Sequence, residues 1–383
     1  MNRLMLLITF ISPVVLPQVT RATLLYPNDF PASSGFASVP GSYTVNTDTL
    51  LMSGPMGFAA SGVLNSGIAV FSFTDFFLGV GADISTLGSR PAAILSRGDM
   101  TVAGNGIRAL AGGGLGGEPR QMGAGPGGGF PGFNFFGGAG GGGGFGGMGG
   151  RGQFESSTFD FPGDGGPAYG DLNLALQGGS GGGGGKDNTG FESAGGAGGG
   201  GLELAANGEI LIAGAGVNAD GLQGAPRNSN HTGGGGGSGG GLILHAPSIM
   251  NTTLIAARGG RGGDGVFQNG GGGGGGRILI QTLPGGFVDF GVTSVGGGTS
   301  PSDFFGTGSP GQPGVLTIQI PEPSSIVGFA SLIGWSWLGM RAKRGGARKA
   351  FATLSDLSAG CEECACRNCR GVKCLCRHRG WTE

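Results

Sequence analysis

Between residues 92 and 109 apolar side chains recur in short bursts at every second position, and the same pattern returns without gaps at 202–219, a constant 110 residues later. Gly98 falls on Gly208, Met100 on Ile210, Val102 on Ile212, Gly104 on Gly214, Gly106 on Gly216, Ile107 on Val217 and Ala109 on Ala219, and five of the eighteen positions are identical. In the second copy Leu202, Leu204 and Ala206 alternate with other residues, Gly208 marks a turn, Ile210 and Ile212 alternate again, and a turn at 214–216 precedes Val217 and Ala219. Period-two alternation in short runs bounded by glycine is a strand signal. Three such strands in roughly 20 residues form a unit that cannot bury its apolar side alone, so units must stack. Further units are expected at 71–87, directly before the first copy, and at 242–257 and 278–295. The pattern predicts an all-β, right-handed parallel β-helix-like solenoid, in which inward residues stack coil on coil and glycine supplies the positive φ of the corners. A β-sandwich is the competitor, but its turns would be more evenly spaced and would not contain runs such as 270–276.

Two apolar runs break this pattern, one at each end. Arg3, an apolar run at 4–16, Pro17 and then Thr20, Arg21 and Ala22 follow the three-part plan of a secretory signal peptide, with cleavage expected after Ala22. Near the other end, residues 324–340 form a 17-residue span, at the lower edge of what crosses roughly 30 Å of hydrocarbon. Trp335 and Trp337 sit toward its basic end, and Arg341, Lys343, Arg344, Arg348 and Lys349 follow. Aromatic belts and the positive-inside rule make Arg341, Lys343 and Arg344 a cytoplasmic stop and place the body outside the inner membrane.

Composition then changes how the interior is read. Gly (96 residues) and Pro (20) together make up about 30% of the 383-residue chain, a level at which low-complexity and fibrous readings compete with a globular one. An ordinary single-core enzyme is disfavoured, because glycine has the most backbone entropy to lose and nothing to bury. Collagen is excluded, since the glycines hold no strict period of three. They concentrate at 112–152, 178–201, 221–241 and 259–276, between the strand units, and are expected to emerge as loops from one face of the solenoid. The first of these carries Phe130, Phe133, Phe135, Phe136 and Phe145, which suggests self-association, with a flexible linker as the alternative.

Charge divides along the chain. Residues 23–320 hold 10 Lys/Arg against 18 Asp/Glu, whereas 341–383 hold 10 against 4. An acidic body with scattered arginines is a poor partner for nucleic acid. Catalytic motifs do not rise above composition. The run 236–240, Gly-Gly-Ser-Gly-Gly, matches a nucleophile elbow in letters but lacks the strand, helix and His partner that the motif needs. His231 in a glycine-rich loop and His245 on a strand read as surface polar residues. Asp264 within 259–265 is a single, unstacked calcium-like copy. Asp99 and Glu209 occupy equivalent places in the two repeats, each just after a turn glycine, and read as solvated corners.

All six cysteines lie in the last 23 residues, so no disulfide braces the body. Cys361, Cys364, Cys366 and Cys369 form two CxxC pairs one residue apart, with Cys374, Cys376 and His378 following. Four thiolates suffice for tetrahedral zinc, but zinc ribbons space their pairs much further apart, and an unstructured or spuriously translated tail is the competing reading.

Pro321, Glu322 and Pro323, then a short apolar helix, then the Arg/Lys cluster resemble the PEP-CTERM sorting signal of Gram-negative bacteria. The resemblance spans some 25 residues and implies an exported protein recognised at the inner membrane by an exosortase-like sorting enzyme. It further implies a location at the inner membrane during sorting and then at the cell surface or in extracellular material, with exopolysaccharide a candidate partner. The family usually ends just after the basic cluster, whereas this chain continues for over thirty residues. The expected organisation is therefore a signal peptide at 1–22, first coils at 23–111, a Gly/Phe-rich insertion at 112–200, further coils at 201–320, the sorting signal with its single transmembrane helix at 321–349 and a Cys-rich tail at 350–383. The expected function is a non-enzymatic structural or interaction protein of the cell surface or matrix; a polysaccharide-active β-helix enzyme or a plain membrane-anchored adhesin are the alternatives.

Overall fold

The computed structural model describes residues 24–134, 138–153, 160–186, 192–226, 232–265, 268–303 and 306–320. These residues are built almost entirely from β-strands and extended segments, with two short 3-10 turns at Pro27–Asp29 and Pro55–Gly57. Three sheets carry the fold, and most of their pairings are parallel.

The offset of 110 residues is a physical neighbour relation. Ala92–Ser96 lies beside Gly201–Ala206, Met100–Val102 beside Glu209–Ile212, and Ile107–Ala109 beside Val217–Asn218, each parallel. Chain order visits the three sheets in turn, so each circuit is one coil. Ile68–Phe73, Phe76–Leu78 and Ala82–Leu87 form the coil before, and Gly241–His245, Ser248–Asn251 and Leu254–Ala256 the coil after. Arg277–Gln281, Phe287–Asp289 and Val292–Ser294 follow, and Val315–Gln319 closes the first sheet. The three further units expected from the sequence are thus coils of the stack. At the opposite end Phe36–Ala37 and Gly41–Asn46 add parallel rungs beside Phe76–Leu78 and Ala82–Leu87. Leu51–Ser53 and Ala59–Ser61 continue from Gly41–Asn46 as antiparallel strands, and Val63–Asn65 pairs antiparallel with Ile68–Phe73.

Inward side chains form continuous ladders because parallel pairing in register puts like beside like. Ile94, Leu204, Leu244 and Ile280 are one such row in the first sheet, and Met100, Ile210 and Ile249 are another in the second. Both rows lie in one continuous core. Each fully buried aliphatic side chain contributes about 1.5–3 kcal/mol of transfer free energy. The corners use glycine as expected where the backbone turns left-handed, at Gly106 (φ 95°) and Gly216 (φ 84°).

The glycine-rich segments depart from expectation. They are not loops standing off one face: among the described residues they are largely buried and pack against each other in ordered rows. Each coil from Ile107–Ala109 onward leaves the third sheet, runs out and back as glycine segments, and re-enters the first sheet. Residues 233–240 show the rule. Gly235 and Ser238 donate to Gly183 and Ser180, Gly236 and Gly239 to Gly271 and Gly274, and Gly237 and Gly240 to Leu222 and Ala219, all at 2.7–2.9 Å. Carbonyls repeat likewise: Gly233 and Gly236 accept from Gly140 and Gly143, Gly235 and Ser238 from Gly196 and Gly199, and Gly234 and Gly237 from Gly263 and Gly260. One segment is thereby bonded to six others, and the bonding direction repeats every three residues. Three residues per turn with no internal bonds is the geometry of a polyproline-II-type helix, here packed as a lattice.

This packing explains why glycine is required at nearly every position. A Cβ on Gly235 would overlap the Gly141 carbonyl, one on Gly236 the Gly260 carbonyl, and one on Gly237 the Ala197 carbonyl. Three successive residues face three different neighbours, so no face is left for a side chain. The entropy cost of ordering glycine is offset by hydrogen bonds made and accepted away from water.

Phe145 interrupts a glycine run without projecting from it. Its ring is fully buried, lies 5.0 Å from that of Tyr169 and sits beneath the Arg277 guanidinium at 5.7 Å. It anchors a cluster with Leu172, Leu176, Ile243 and Leu279 on the outer side of the first sheet, so it is withdrawn from the self-association suggested for its segment. Phe130 is exposed at that segment's surface, and the side chains of Phe133, Phe135 and Phe136 lie outside the described residues.

Candidate functional site

The first sheet is covered on both faces, and its outer face holds a buried carboxyl that strand periodicity does not account for. In the register of that sheet Val70, Ala93, Glu203, Ile243 and Leu279 form one outward row. Glu203 is a carboxyl in an otherwise apolar ladder, and it is 1% exposed. His245 lies one strand over and two positions along, on Gly241–His245, and is 7% exposed. It occupies a strand as expected but is buried, which corrects its reading as a surface polar residue. The cause is distant in sequence: residues 24–30 lie across this part of the sheet, with Leu25 and Phe30 packed against Val70, Ala93, Leu95 and Ala205.

The Leu25 backbone bonds to both polar groups. Its amide donates to Glu203 Oε1 at 2.9 Å, and its carbonyl lies 3.1 Å from His245 Nε2. That acceptor assigns the imidazole proton to Nε2. Glu203 Oε1 and His245 Nε2 are 3.6 Å apart, too far for a good hydrogen bond between them. The Tyr26 ring meets the imidazole edge to face, with centroids 5.3 Å apart. Burial pushes the Glu203 carboxyl up to about 8, partly opposed by the Leu25 amide. Burial also lowers His245 below the ordinary imidazole value, partly opposed by the Leu25 carbonyl. At neutral pH both groups are therefore uncharged, which is how two ionisable groups lie in an apolar layer at tolerable cost. A shallow pocket of about 160 Å³ opens beside Glu203, lined also by Leu24, Ile68, Pro91, Leu176 and Ile243. Chemically the arrangement is a proton-dependent fastening of the N-terminal segment, with one protonated carboxyl bordering a small cavity.

The remaining polar residues weighed in the sequence are tied into the coils. Asp99 is exposed, as expected of a corner, and its carboxylate accepts the Glu209 amide of the next coil at 2.9 Å. The same carboxylate crowds Gly208, and that of Asp75 crowds Gly98, so these two turn glycines are set by close approach. Asp264 pairs with Arg261 at 2.7 Å. Ser238 is fully buried and exchanges hydrogen bonds with Ser180, a lattice position and not a nucleophile elbow.

His231 lies outside the described residues, as do the signal peptide at 1–22, Pro321, Glu322 and Pro323, the apolar span at 326–340, Arg341, Lys343 and Arg344, and Cys361, Cys364, Cys366 and Cys369. Among the described residues no helix is long and apolar enough to cross a membrane, and no group of three or more His, Cys, Asp or Glu could hold a metal ion. Sequence reasoning missed Glu203, whose available signal was a lone carboxylate between Leu202 and Leu204 in a strand otherwise apolar on both faces.

Comparison of the chain with family models, with curated proteins and with solved structures finds no match.

Proposed function

We propose that this is an exported structural or interaction protein of the cell surface or extracellular matrix, delivered through its PEP-CTERM-like C-terminal signal. The observation that carries the structural role is that four exposed or half-buried carboxylates of the body serve its own cohesion. Asp48 binds Ser89 and Arg90, Asp99 the Glu209 amide, Asp220 the Arg258 guanidinium, and Asp289 the side chains of Asn251 and Thr293. A backbone-bonded glycine lattice beside a stacked core suits a durable, extended surface element. We take the coils to wind right-handed, the hand favoured when a twisted strand crosses over to a parallel neighbour.

In this reading Pro321, Glu322 and Pro323 are the sorting determinants, 326–340 spans the inner membrane, and Arg341, Lys343 and Arg344 hold the cytoplasmic side for an exosortase-like enzyme. Replacing Pro321, Glu322 and Pro323 together with Ala should leave unprocessed protein in the inner membrane, read by fractionation and C-terminal mass. Normal processing and surface delivery of that variant would overturn the sorting assignment.

One observation favours a second reading, a surface polysaccharide lyase or hydrolase: Glu203 is a carboxyl of raised pKa beside a pocket, the kind of group that serves as a general acid. Product release from a polysaccharide panel, lost in Glu203→Gln, would establish it; no release by the exported protein would remove it.

A further inference from the structure

The stack of coils is covered at one end and open at the other. At the covered end Val63–Asn65 folds back antiparallel on Ile68–Phe73. At the other end the edge strand of the first sheet is Val315–Gln319, paired among the described residues on one side only, with Arg277–Gln281. Leu316 and Ile318 stand in register with Ile278 and Ile280, which are core residues at 1% and 0% exposure. Leu316 and Ile318 themselves are 41% and 47% exposed. They are inward-facing core positions with no coil above them among the described residues.

The backbone of this strand is equally unfinished. The Val315 amide donates to Gly276 and the Gln319 carbonyl accepts from Thr282, so the odd-numbered residues turn their polar groups toward the neighbouring strand. Alternation then directs the amides and carbonyls of Leu316 and Ile318 to the free edge. Natural edges are usually blunted by charge, proline or shortness, yet Val315–Gln319 contains no charged residue and no proline. Among the described residues no further rung covers it. The step from Arg277 to Val315 is 38 residues, which would put the next rung near 353–357, past the apolar span and the basic cluster. Because that span is assigned to the membrane, this last point rests on the sorting reading.

We propose that this edge is an interface with a second copy of the chain, joined tail to tail by antiparallel pairing of Val315–Gln319 with itself about a two-fold axis at Thr317. The strand is self-complementary in that register. Thr317 faces the partner's Thr317, and Leu316 faces the partner's Ile318 in a hydrogen-bonded pair that uses the free amides and carbonyls. The same pairing recurs on the other side of the axis, and the four apolar side chains extend both cores across the join. Such an isologous contact closes on itself and yields a dimer, not a fibre.

The test uses the full-length protein in detergent micelles, with its six native cysteines replaced by Ser. Opposed residues of a non-hydrogen-bonded antiparallel pair have Cα atoms about 4.5 Å apart, within disulfide reach. Thr317→Cys should therefore cross-link on oxidation into a species of twice the chain mass. Val315→Cys should not, because its copies would lie about 13 Å apart along the strands. Adding Ile318→Lys to Thr317→Cys should reduce cross-linking at least tenfold with the β-sheet content unchanged, since in the single chain the lysine occupies a position already open to solvent. Ile318→Pro, which removes an edge amide without touching the neighbouring strand, should do the same. The proposal is overturned if Thr317→Cys stays monomeric, if both positions cross-link equally, if species larger than dimers dominate, or if neither change at Ile318 alters the yield. Processing of the Pro321, Glu322 and Pro323 variant is read separately, so failure of the sorting assignment and failure of the interface are distinguishable.

Discussion

The amide of Leu25 donates to the carboxyl of Glu203 at 2.9 Å, across 178 positions of sequence. The bond fastens the first described residues to the middle of the solenoid, just beyond the expected signal-peptide cleavage after Ala22. Because Glu203 has a folded value of about 8 against 4.5 for a free carboxyl, the folded state holds a proton that the unfolded chain has released between those limits. The sign follows: stability from this group is fully present below pH 4.5 and is lost as pH rises toward 8, at no more than about 1.4 kcal/mol per pH unit. Thermal midpoints should fall over that range, and Glu203→Gln should flatten the fall. A wild-type profile that rises between those two limits relative to the variant would contradict the assignment.

His245 acts in the opposite direction. Its folded value is lowered, so the unfolded chain takes up a proton first and stability declines as pH falls below about 6.5. Replacing His245 with Gln should remove this acidic limb while sparing the Glu203 limb. Paired pH–melting curves of the two variants check whether the limbs separate.

The glycine lattice makes a position-specific prediction. A Cβ at Gly236 would overlap the carbonyl of Gly260, whereas one at Gly296 would meet only Ser294 Oγ at 3.8 Å. Gly236→Ala should therefore destabilise by about 1–3 kcal/mol or more, the usual cost of overpacking. Gly296→Ala should be near neutral. Equal effects in denaturant titrations would mean that the lattice does not pack as described.

Phe145 gives a contrasting test, because a glycine-rich loop would tolerate its loss. As a fully buried ring against Tyr169 and Arg277, it should cost about 3–5 kcal/mol when changed to Ala. A loss below about 0.5 kcal/mol, the range of surface substitutions, would return it to the status of an exposed aromatic.

Amide exchange reads the same segments without any substitution. The amides of Gly235 to Gly240 each have a carbonyl partner and should exchange as slowly as those of Gly241–His245, despite belonging to no strand. Deleting 112–152 removes Gly140 and Gly143, which donate to Gly233 and Gly236, and should speed exchange throughout 233–240. Rapid exchange in the intact protein would exclude the lattice.

Strand units are legible along the chain because the stack copies itself. Met100 on Ile210 and Ile107 on Val217 align in sequence since they are neighbours in space, and parallel pairing in register favours similar residues at each rung. The glycine segments mislead because their partners are remote. The period of three that is absent from the letters of 233–240 is present in the direction of their hydrogen bonds. A clue lies in the way glycine runs recur between successive strand units, each leaving and re-entering the coil at one corner. His245 sits on its expected strand but on the other side of the burial boundary, since residues 24–30 cover it from over 200 positions away.

Alternation and turn chemistry act within a few residues, so the coil unit, its inward ladders and its glycine corners are written directly into the chain. Three outcomes are not: the interlocking of the glycine runs, the buried and neutral state of Glu203 and His245, and the exposure of Leu316 and Ile318 at the end of the stack. Folding in three dimensions settles each of them, because each depends on which distant backbone supplies a hydrogen-bond partner or excludes water, and no local pattern encodes that.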